Sequence, residues 1–379
     1  MANCCRWLVP VLVLFLLAAH SNAQQQKVES DIRSVMDKYD VIGLSVVVVK
    51  DGNIHYSKAF GMKDLESETP LNEKDLFRIA SISKSFSATA IMQLVEDGKV
   101  SLDDDFSDLV GFKVRNPKYP GKPITLQMVL SHTSSINDSQ GYFNFDVINP
   151  LKNKDWAKCY NDYAPGAGYQ YCNLNFNMAG AVIERLSGER FDSHIKKRIL
   201  DPLGLYGGYC VDSLDNSLFT TLYGYDSSRF EASPMAYASR REEIEHYVMG
   251  YTTAIFSPTG GMKISAPDLA KYMMMHMNFG KYGDKRIISR KSAKRMQRVV
   301  WKEEGYGLAL LRDENLIPGE TMRGHTGNAY GLHSAMFFHP GKKFGFVVIT
   351  NGCKPSFVDD MNTVLRDTIK ILYERFIAE

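Results

Sequence analysis

The apolar residues of this 379-residue chain change their period twice, and the order of the changes limits the fold. Val28, Ile32, Val35 and Tyr39 recur at helical spacing and predict an amphipathic helix ending near Tyr39. The lead-in, Gln24 to Val28, is polar and reads as disordered. Gly43 to Val49 is a β-branched run, Asp51-Gly52 a turn signal, and Ile54 to Phe60 a second strand. The middle is helical: Ser81 to Val95 with Phe86, Ala90, Ile91 and Leu94 on one face, a start at Thr125, then Phe176 to Leu186 and Phe191 to Ile199, stopped by Asp201-Pro202. Residues 206–255 are weakly periodic and predict an irregular excursion. Strand spacing returns at Gly307 to Leu310, Gly331 to His339 and Lys343 to Thr350, and Val358 to Phe376 closes as a helix.

Helix and strands at both ends around a helical middle predict an α/β plus all-α architecture. Both ends join in one antiparallel sheet flanked by the terminal helices, with an inserted helical domain. The expected division is 24–84 with 286–379 for the α/β domain and 85–285 for the helical one. A groove between them is a natural substrate site.

Residues 1–23 have a short leader with Arg6, an apolar stretch from Leu8 to Ala19 and the small-residue end Ser21-Asn22-Ala23. This pattern predicts a secretory signal cleaved before Gln24. The stretch is shorter than the roughly 20 residues a spanning helix needs, so no stable membrane insertion is expected after cleavage. Charged residues are 23% of the chain and the net charge is +2, which gives no reason to expect a nucleic-acid partner. Of six cysteines, Cys159, Cys172, Cys210 and Cys353 follow the leader. In an oxidising compartment they can pair in three complete ways, with burial as free thiols the equal alternative. Asn137-Asp138-Ser139 is an N-glycosylation sequon. Metal-ligand spacings, phosphate-binding glycine loops and dinucleotide fingerprints are not found, so no cofactor is expected.

Phe77-Arg78-Ile79-Ala80-Ser81-Ile82-Ser83-Lys84 carries the chemistry. Residues at i and i+3 share a helix face, so Ser81 and Lys84 place a hydroxyl beside an amine. A serine hydroxyl needs an adjacent base, and a buried lysine with a lowered pKa supplies one. At a helix start, the Ser81 N–H is free to face an oxyanion. In Tyr171-Cys172-Asn173, the phenol relays a proton if nearby cations lower its pKa, and Asn173 positions Lys84 or a substrate carbonyl. In His325-Thr326-Gly327, ahead of the strand near Gly331, His325 is expected to carry partial positive charge beside Tyr171 and Thr326 to bind a carbonyl or carboxylate. Gly327 would admit a substrate backbone, and the Asn328 N–H would be a second oxyanion donor. His132 is expected to be a buried helix-end hydrogen bonder.

These three segments, in order, resemble the serine β-lactamase-related family over nearly all of the chain that follows the leader. The nearer likeness is to class C β-lactamases, the D-Ala-D-Ala carboxypeptidases of that branch, and related esterases and D-amino-acid peptidases. Leu130-Ser131-His132-Thr133-Ser134, Asp201-Pro202-Leu203-Gly204-Leu205 and Pro258-Thr259-Gly260-Gly261-Met262 extend it. The resemblance implies a β-lactamase/transpeptidase-like fold, acylation of Ser81, and Tyr171 and Asn173 in the Y-x-N element. His325 stands where typical class C enzymes carry lysine, which leans toward a peptidase, amidase or esterase over a β-lactamase. The expected protein is a metal-independent serine hydrolase acting on a small-molecule or short-peptide acyl substrate, secreted or held in the lumen of a secretory or lysosome-like compartment (the periplasm if the source is bacterial). A carboxylesterase or β-lactamase is one alternative, and a catalytically inactive secreted binding protein of the same fold is another.

Overall fold

The computed structural model describes residues 24–378. The expected signal sequence lies outside the described residues. The first helix, α1 (24–38), begins at Gln24, not after a disordered lead-in. The Gln24 amide donates to the Arg375 carbonyl at 2.7 Å, and Val28 is fully buried, so contact with the chain's other end orders the polar start.

Strands β1 (Gly43–Lys50), β2 (Asn53–Asp64) and β3 (Thr69–Pro70) follow. Near the other end come β4 (Leu311–Asp313), β5 (Met322–Ala329), β6 (Leu332–His339) and β7 (Phe344–Thr350). They form one seven-stranded sheet in the order β4-β5-β6-β7-β1-β2-β3, antiparallel throughout. Val46 of β1 sits opposite Val348 of β7, joining the two ends of the chain as expected.

β1 reads as an unbroken apolar run because both faces of the sheet are covered. Leu44, Val46 and Val48 pack with α1 and the last helix, α5 (Thr363–Phe376), through Ile32, Leu365, Ile369 and other side chains. Val47 and Val49 point the other way, into a larger core shared with the helical segment. Period-2 alternation with two apolar faces gives this pattern. The helical segment contains α2 (Ser83–Glu96), α3 (Asn173–Ser187) and α4 (Ala266–Met277). Of these, α2 is buried on all sides from Ser83 to Leu94, so its hydroxyls need internal partners. Ser87 donates to the Pro258 carbonyl at 2.9 Å and Ser83 accepts the Met262 N–H at 3.0 Å.

Several expected boundaries move. Gly307 to Leu310 is not a strand; the strand there is β4. The helix expected over 191–199 ends at Ile195 and continues as a wider turn, Lys196–Leu200. The last helix starts at Thr363, where the Asn362 side chain caps it by accepting the Val364 N–H. The irregular excursion contains a short hairpin, Tyr223–Asp226 with Arg229–Ala232.

The cysteines do not pair. Cys159, Cys172, Cys210 and Cys353 are all free and buried. Three of the sulfurs have other partners: Cys159 Sγ faces the Val147 carbonyl at 3.4 Å, Cys172 Sγ the Asp138 carboxylate at 3.2 Å, and Cys353 Sγ the Asn362 amide at 3.6 Å. Among the described residues no helix is long and apolar enough to cross a membrane.

Candidate active site

Ser81 lies on a single 3-10 turn, Ala80–Ile82, that leads into α2. The chain reaches it through a short strand, Phe77–Arg78, paired with Lys263–Ile264. Two bonds clamp the turn: the Ile79 N–H donates to the Met262 carbonyl at 3.0 Å, and Ser334 Oγ of β6 donates to the Ile79 carbonyl at 3.0 Å. Ala80 takes φ 47°, a left-handed conformation that costs a β-carbon residue about 1 kcal/mol or more. The clamps hold that strain one residue ahead of the hydroxyl.

Lys84, one turn on, is fully buried. Its Nζ lies 2.9 Å from Ser81 Oγ, 2.9 Å from Asn173 Oδ1 and 3.0 Å from the Thr259 carbonyl. The last two partners only accept. A neutral amine has two N–H groups and one lone pair, so both N–H groups are used on those oxygens and the lone pair faces the Ser81 hydroxyl. Burial pulls the Lys84 pKa down to about 7, against an upward pull from Asp138 and Cys172. The neutral form is therefore accessible near neutral pH.

Asn173, the first residue of α3, is held from behind. Its Nδ2 donates to Asp138 Oδ2 at 3.0 Å, and Thr259 Oγ1 donates to its Oδ1 at 2.9 Å. A carboxylate only accepts, which fixes the amide with its oxygen toward Lys84. Asp138 also accepts the N–H groups of Asn173 and Leu174 at 2.8 and 2.9 Å and the Cys172 thiol, so it caps the start of α3.

The Tyr171 phenol hydrogen-bonds Ser81, and Lys84 Nζ lies 4.7 Å from the centre of its ring. Its pKa is not lowered by cations, as the sequence led us to expect. Burial raises it, with Asp138 and Cys172 adding to the rise, and the bond to Ser81 is the opposing pull. Tyr171 keeps its proton at neutral pH. His132 is more than a helix-end bonder. Its Nδ1 accepts the Cys172 N–H at 3.1 Å, and its ring packs at a tilt against that of Tyr171, centres 4.3 Å apart, so it fixes the tyrosine segment.

His325, Thr326, Gly327 and Asn328 lie inside β5, not in a turn before a strand. His325 is buried, which together with Lys84 lowers its pKa to about 3. Its Nδ1 is 2.6 Å from the Thr326 carbonyl and therefore carries the proton, while Nε2 accepts from the Tyr306 hydroxyl at 3.0 Å. The expected positive charge is absent; the ring is neutral with both nitrogens satisfied. In an NMR titration the His325 ring should stay neutral down to about pH 4, and protonation near pH 6.5 would overturn this account. Gly327 lines the cavity and has a further use. A Cβ there would strike the Ile79 carbonyl and Ser334 Oγ, so the glycine lets β5 pack against the Ser81 turn itself. Beyond Gly324 the pairing of β4 with β5 stops, which leaves the edge at Thr326 and Asn328 open.

These residues meet in one cavity of about 670 Å³, lined by Ser81, Tyr171, Asn173, His325, Thr326 and Asn328 among others. Asn137 does not line that cavity. Its amide nitrogen donates to Asn161 Oδ1 at 3.1 Å and its oxygen accepts the Ser139 N–H at 3.0 Å. Among the described residues no cluster of His, Cys, Asp or Glu is arranged to hold a metal.

The sequence model of the Beta-lactamase family matches residues 28–370. The chain belongs to the beta-lactamase family. Protein flp of Staphylococcus aureus (strain MRSA252) is 22% identical over 363 residues, covering 90% of this chain; the chain spans 66% of that relative's length. The octameric penicillin-binding protein homologue from Pyrococcus abyssi superposes with TM-score 0.73 at 28% identity, over 92% of this chain and 77% of its own. EstCE1, a hydrolase with promiscuous acyltransferase activity, superposes with TM-score 0.74 at 20% identity, over 94% of this chain and 100% of its own. The fold is that of the beta-lactamase and penicillin-binding-protein-like hydrolases, and these likenesses favour no single branch of the family.

Within this beta-lactamase family site, Asp138 is the residue that reading the sequence missed. It sat in view as the middle of the Asn137 sequon. The one signal available was a carboxylate soon after the Leu130-to-Ser134 segment, and nothing local connects it to Asn173.

Proposed function

We propose that the protein is a secreted serine hydrolase that cleaves an amide or peptide bond through an acyl-enzyme on Ser81. The observation that carries the reading is the placement of the Lys84 amine, with both N–H groups on pure acceptors and its lone pair toward the Ser81 hydroxyl. In the reaction, Lys84 takes the Ser81 proton as Oγ bonds the substrate carbonyl carbon. The N–H groups of Ser81 and Asn328 receive the oxyanion. As the carbon–nitrogen bond breaks, the Tyr171 phenol gives its proton to the leaving amine and regains one from the Lys84 ammonium. Water then attacks the ester, its proton passing to the same base, and the acid leaves as Ser81 is restored.

An amine leaves only when protonated, whereas an alkoxide from an activated ester does not need that help. A tyrosine that keeps its proton at neutral pH beside Ser81 has one to give, which supports amides and peptides, D-amino-acid peptides among them, over esters.

Intact mass spectrometry after exposure to a fluorophosphonate tests the reading. One adduct on the native chain and none on Ser81→Ala is expected. An adduct that persists in Ser81→Ala overturns the assignment of the nucleophile, and no adduct on the native chain favours a binding protein that has lost catalysis. D-peptides, nitrophenyl esters and β-lactams in the same assay separate the substrate classes by rates of adduct loss.

A further inference from the structure

Between Phe279 and Trp301 the sequence places lysine or arginine at eight positions and a carboxylate at one, Asp284, although the whole chain is nearly balanced at +2. The fold gathers these charges. Three cations meet over the Phe279 ring: Arg290 at 4.8 Å from its centre, Lys343 at 5.4 Å and Lys294 at 5.8 Å. Arg290 and Lys294 share a face of the helix Arg290–Gln297, and Lys343 comes from the turn between β6 and β7. Lys343 Nζ donates to the Met277 carbonyl at 2.8 Å, which fixes it there. A fourth cation, Arg286, donates through Nη1 to the Phe279 and Ile288 carbonyls at 3.3 and 3.2 Å. It stands directly opposite Lys281 in the short hairpin Lys281–Tyr282 with Lys285–Arg286.

Like charges held this close oppose one another. Burial pulls the Lys343 pKa below its ordinary value, and the Arg290 charge adds to the fall. The Phe279 ring offsets part of the repulsion by cation–π attraction. The neighbouring carboxylates are engaged elsewhere. Asp284 serves Lys285, at 3.3 Å, and Lys281; Glu96 accepts the Ser289 N–H at 2.7 Å; Glu320 takes Lys342 at 2.6 Å. Among the described residues Arg286, Arg290, Lys294 and Lys343 make no ion pair. Arg286, Arg290 and Lys294 are exposed and Lys343 is half-buried, so an anion from outside can reach them.

The surroundings select among polyanions. A membrane-binding surface sets apolar side chains beside its cations, where they enter the lipid. None of the exposed large apolar side chains belongs to residues 279–302 or 339–343. Export, as proposed above, puts the surface among extracellular glycans and away from nucleic acid. Sulfate esters along a polysaccharide supply closely spaced, fully ionised acceptors for guanidinium and ammonium donors alike.

We propose that the surface formed by Arg286, Arg290, Lys294 and Lys343 around Phe279 docks a sulfated polysaccharide. None of these side chains lines the Ser81 cavity, so docking holds the protein in place and takes no part in acyl transfer. The choice of glycan rests on export, and the cation cluster is independent of the acyl-transfer reading.

Fluorescence anisotropy of the purified protein with labelled heparin oligosaccharides tests it, at about 150 mM NaCl, where exposed charges are screened beyond about 8 Å. The native protein should bind heparin with a Kd of about 10 μM or tighter, and about tenfold or more tighter than heparosan, a related backbone without sulfate. Arg290→Gln/Lys294→Gln/Lys343→Gln should lose about ten- to hundredfold, and its plot of log Kd against log[NaCl] should be shallower by about two to three. The charge-matched Lys152→Gln/Lys154→Gln/Lys158→Gln should bind as the native protein does. Absence of heparin binding by the native protein, or equal binding of heparosan, overturns the proposal, and neither comparison needs a variant to fold. Equal loss in both triple variants overturns it too, since net charge alone would give that. Tighter binding to duplex DNA or to phosphatidylserine vesicles than to heparin assigns the surface to another partner and also overturns it. Failure of the earlier readings looks different: without export the chain stays in the expressing cells with residues 1–23 attached, and without acyl transfer a fluorophosphonate leaves Ser81 of the native chain unlabelled.

Discussion

Replacing Lys84 by methionine is expected to lower kcat/KM by roughly 10²- to 10⁴-fold, the usual contribution of a positioned general base. The native enzyme should show an acidic limb, with kcat/KM rising as pH passes through about 7 and levelling above it, because only the neutral amine offers a lone pair to Ser81. No second limb should come from the histidines near the site. His325 titrates at about 3, and burial together with Lys84 holds His132 well below its ordinary value. A flat profile between pH 6 and 8, or a methionine variant of near-native activity, would remove Lys84 from the chemistry.

The same residue makes a prediction about stability, and its sign is opposite to that of most core substitutions. Lys84 titrates at about 7 when folded and at its ordinary 10.5 when unfolded. Between those values the unfolded chain holds more protons, so stability rises with pH. The deficit is fully present below the folded pKa, is lost as pH climbs to the unfolded one, and amounts to roughly 5 kcal/mol at the outside. Methionine removes the titration. The Tm difference between Lys84→Met and the native protein should therefore favour the variant most at about pH 6.5 and shrink steadily toward about pH 10. A difference that is constant across that range would mean that Lys84 is not desolvated in solution. A site residue that weakens the fold it serves is the usual relation between function and stability.

How much of this was legible in the sequence depends on the range of the interaction. Ser81 and Lys84 were readable because their relation is local, three residues on one turn. The sheet built from both chain ends was readable because β1 and β7 are strongly β-branched and apolar. β5 was not, because Gly324, His325 and Gly327 are poor strand formers. Their glycines serve close approach: a Cβ at Gly324 would strike the Met336 carbonyl, and one at Gly327 would strike the Ser81 turn. The ladder to β6 overrides the local preference. The charge states of Tyr171 and His325 were read in the wrong direction for a related reason. Their neighbours in sequence suggested cations, while burial, which only the fold reveals, dominates both. Gln24 to Val28 looked too polar to order, and becomes ordered through α5.

Asp138 is the clearest case of a role that only the fold reveals, and Asp138→Asn is expected to cost on the order of 10²-fold in kcat/KM, the scale of a displacement of about 1 Å at a reacting group. The carboxylate accepts from Asn173 Nδ2, from the N–H groups of Asn173 and Leu174, and from the Cys172 thiol. An asparagine keeps the shape but has one oxygen in place of two. It also offers an NH₂ group that can turn toward Asn173, which is then free to flip and present its own NH₂ to Lys84. The lysine would face a donor in place of an acceptor and lose its alignment on Ser81. A loss of fold alone would give the same drop in rate, so the deciding measurement is the pH profile. Asp138 raises the Lys84 pKa, and removing its charge lets that pKa fall further, so the acidic limb of Asp138→Asn should move below its native position near 7. A variant of ordinary Tm whose limb stays in place would make Asp138 a helix cap only. A limb moved down together with a reduced plateau is the signature of a carboxylate that acts on Ser81 through Asn173 and Lys84 without touching the substrate.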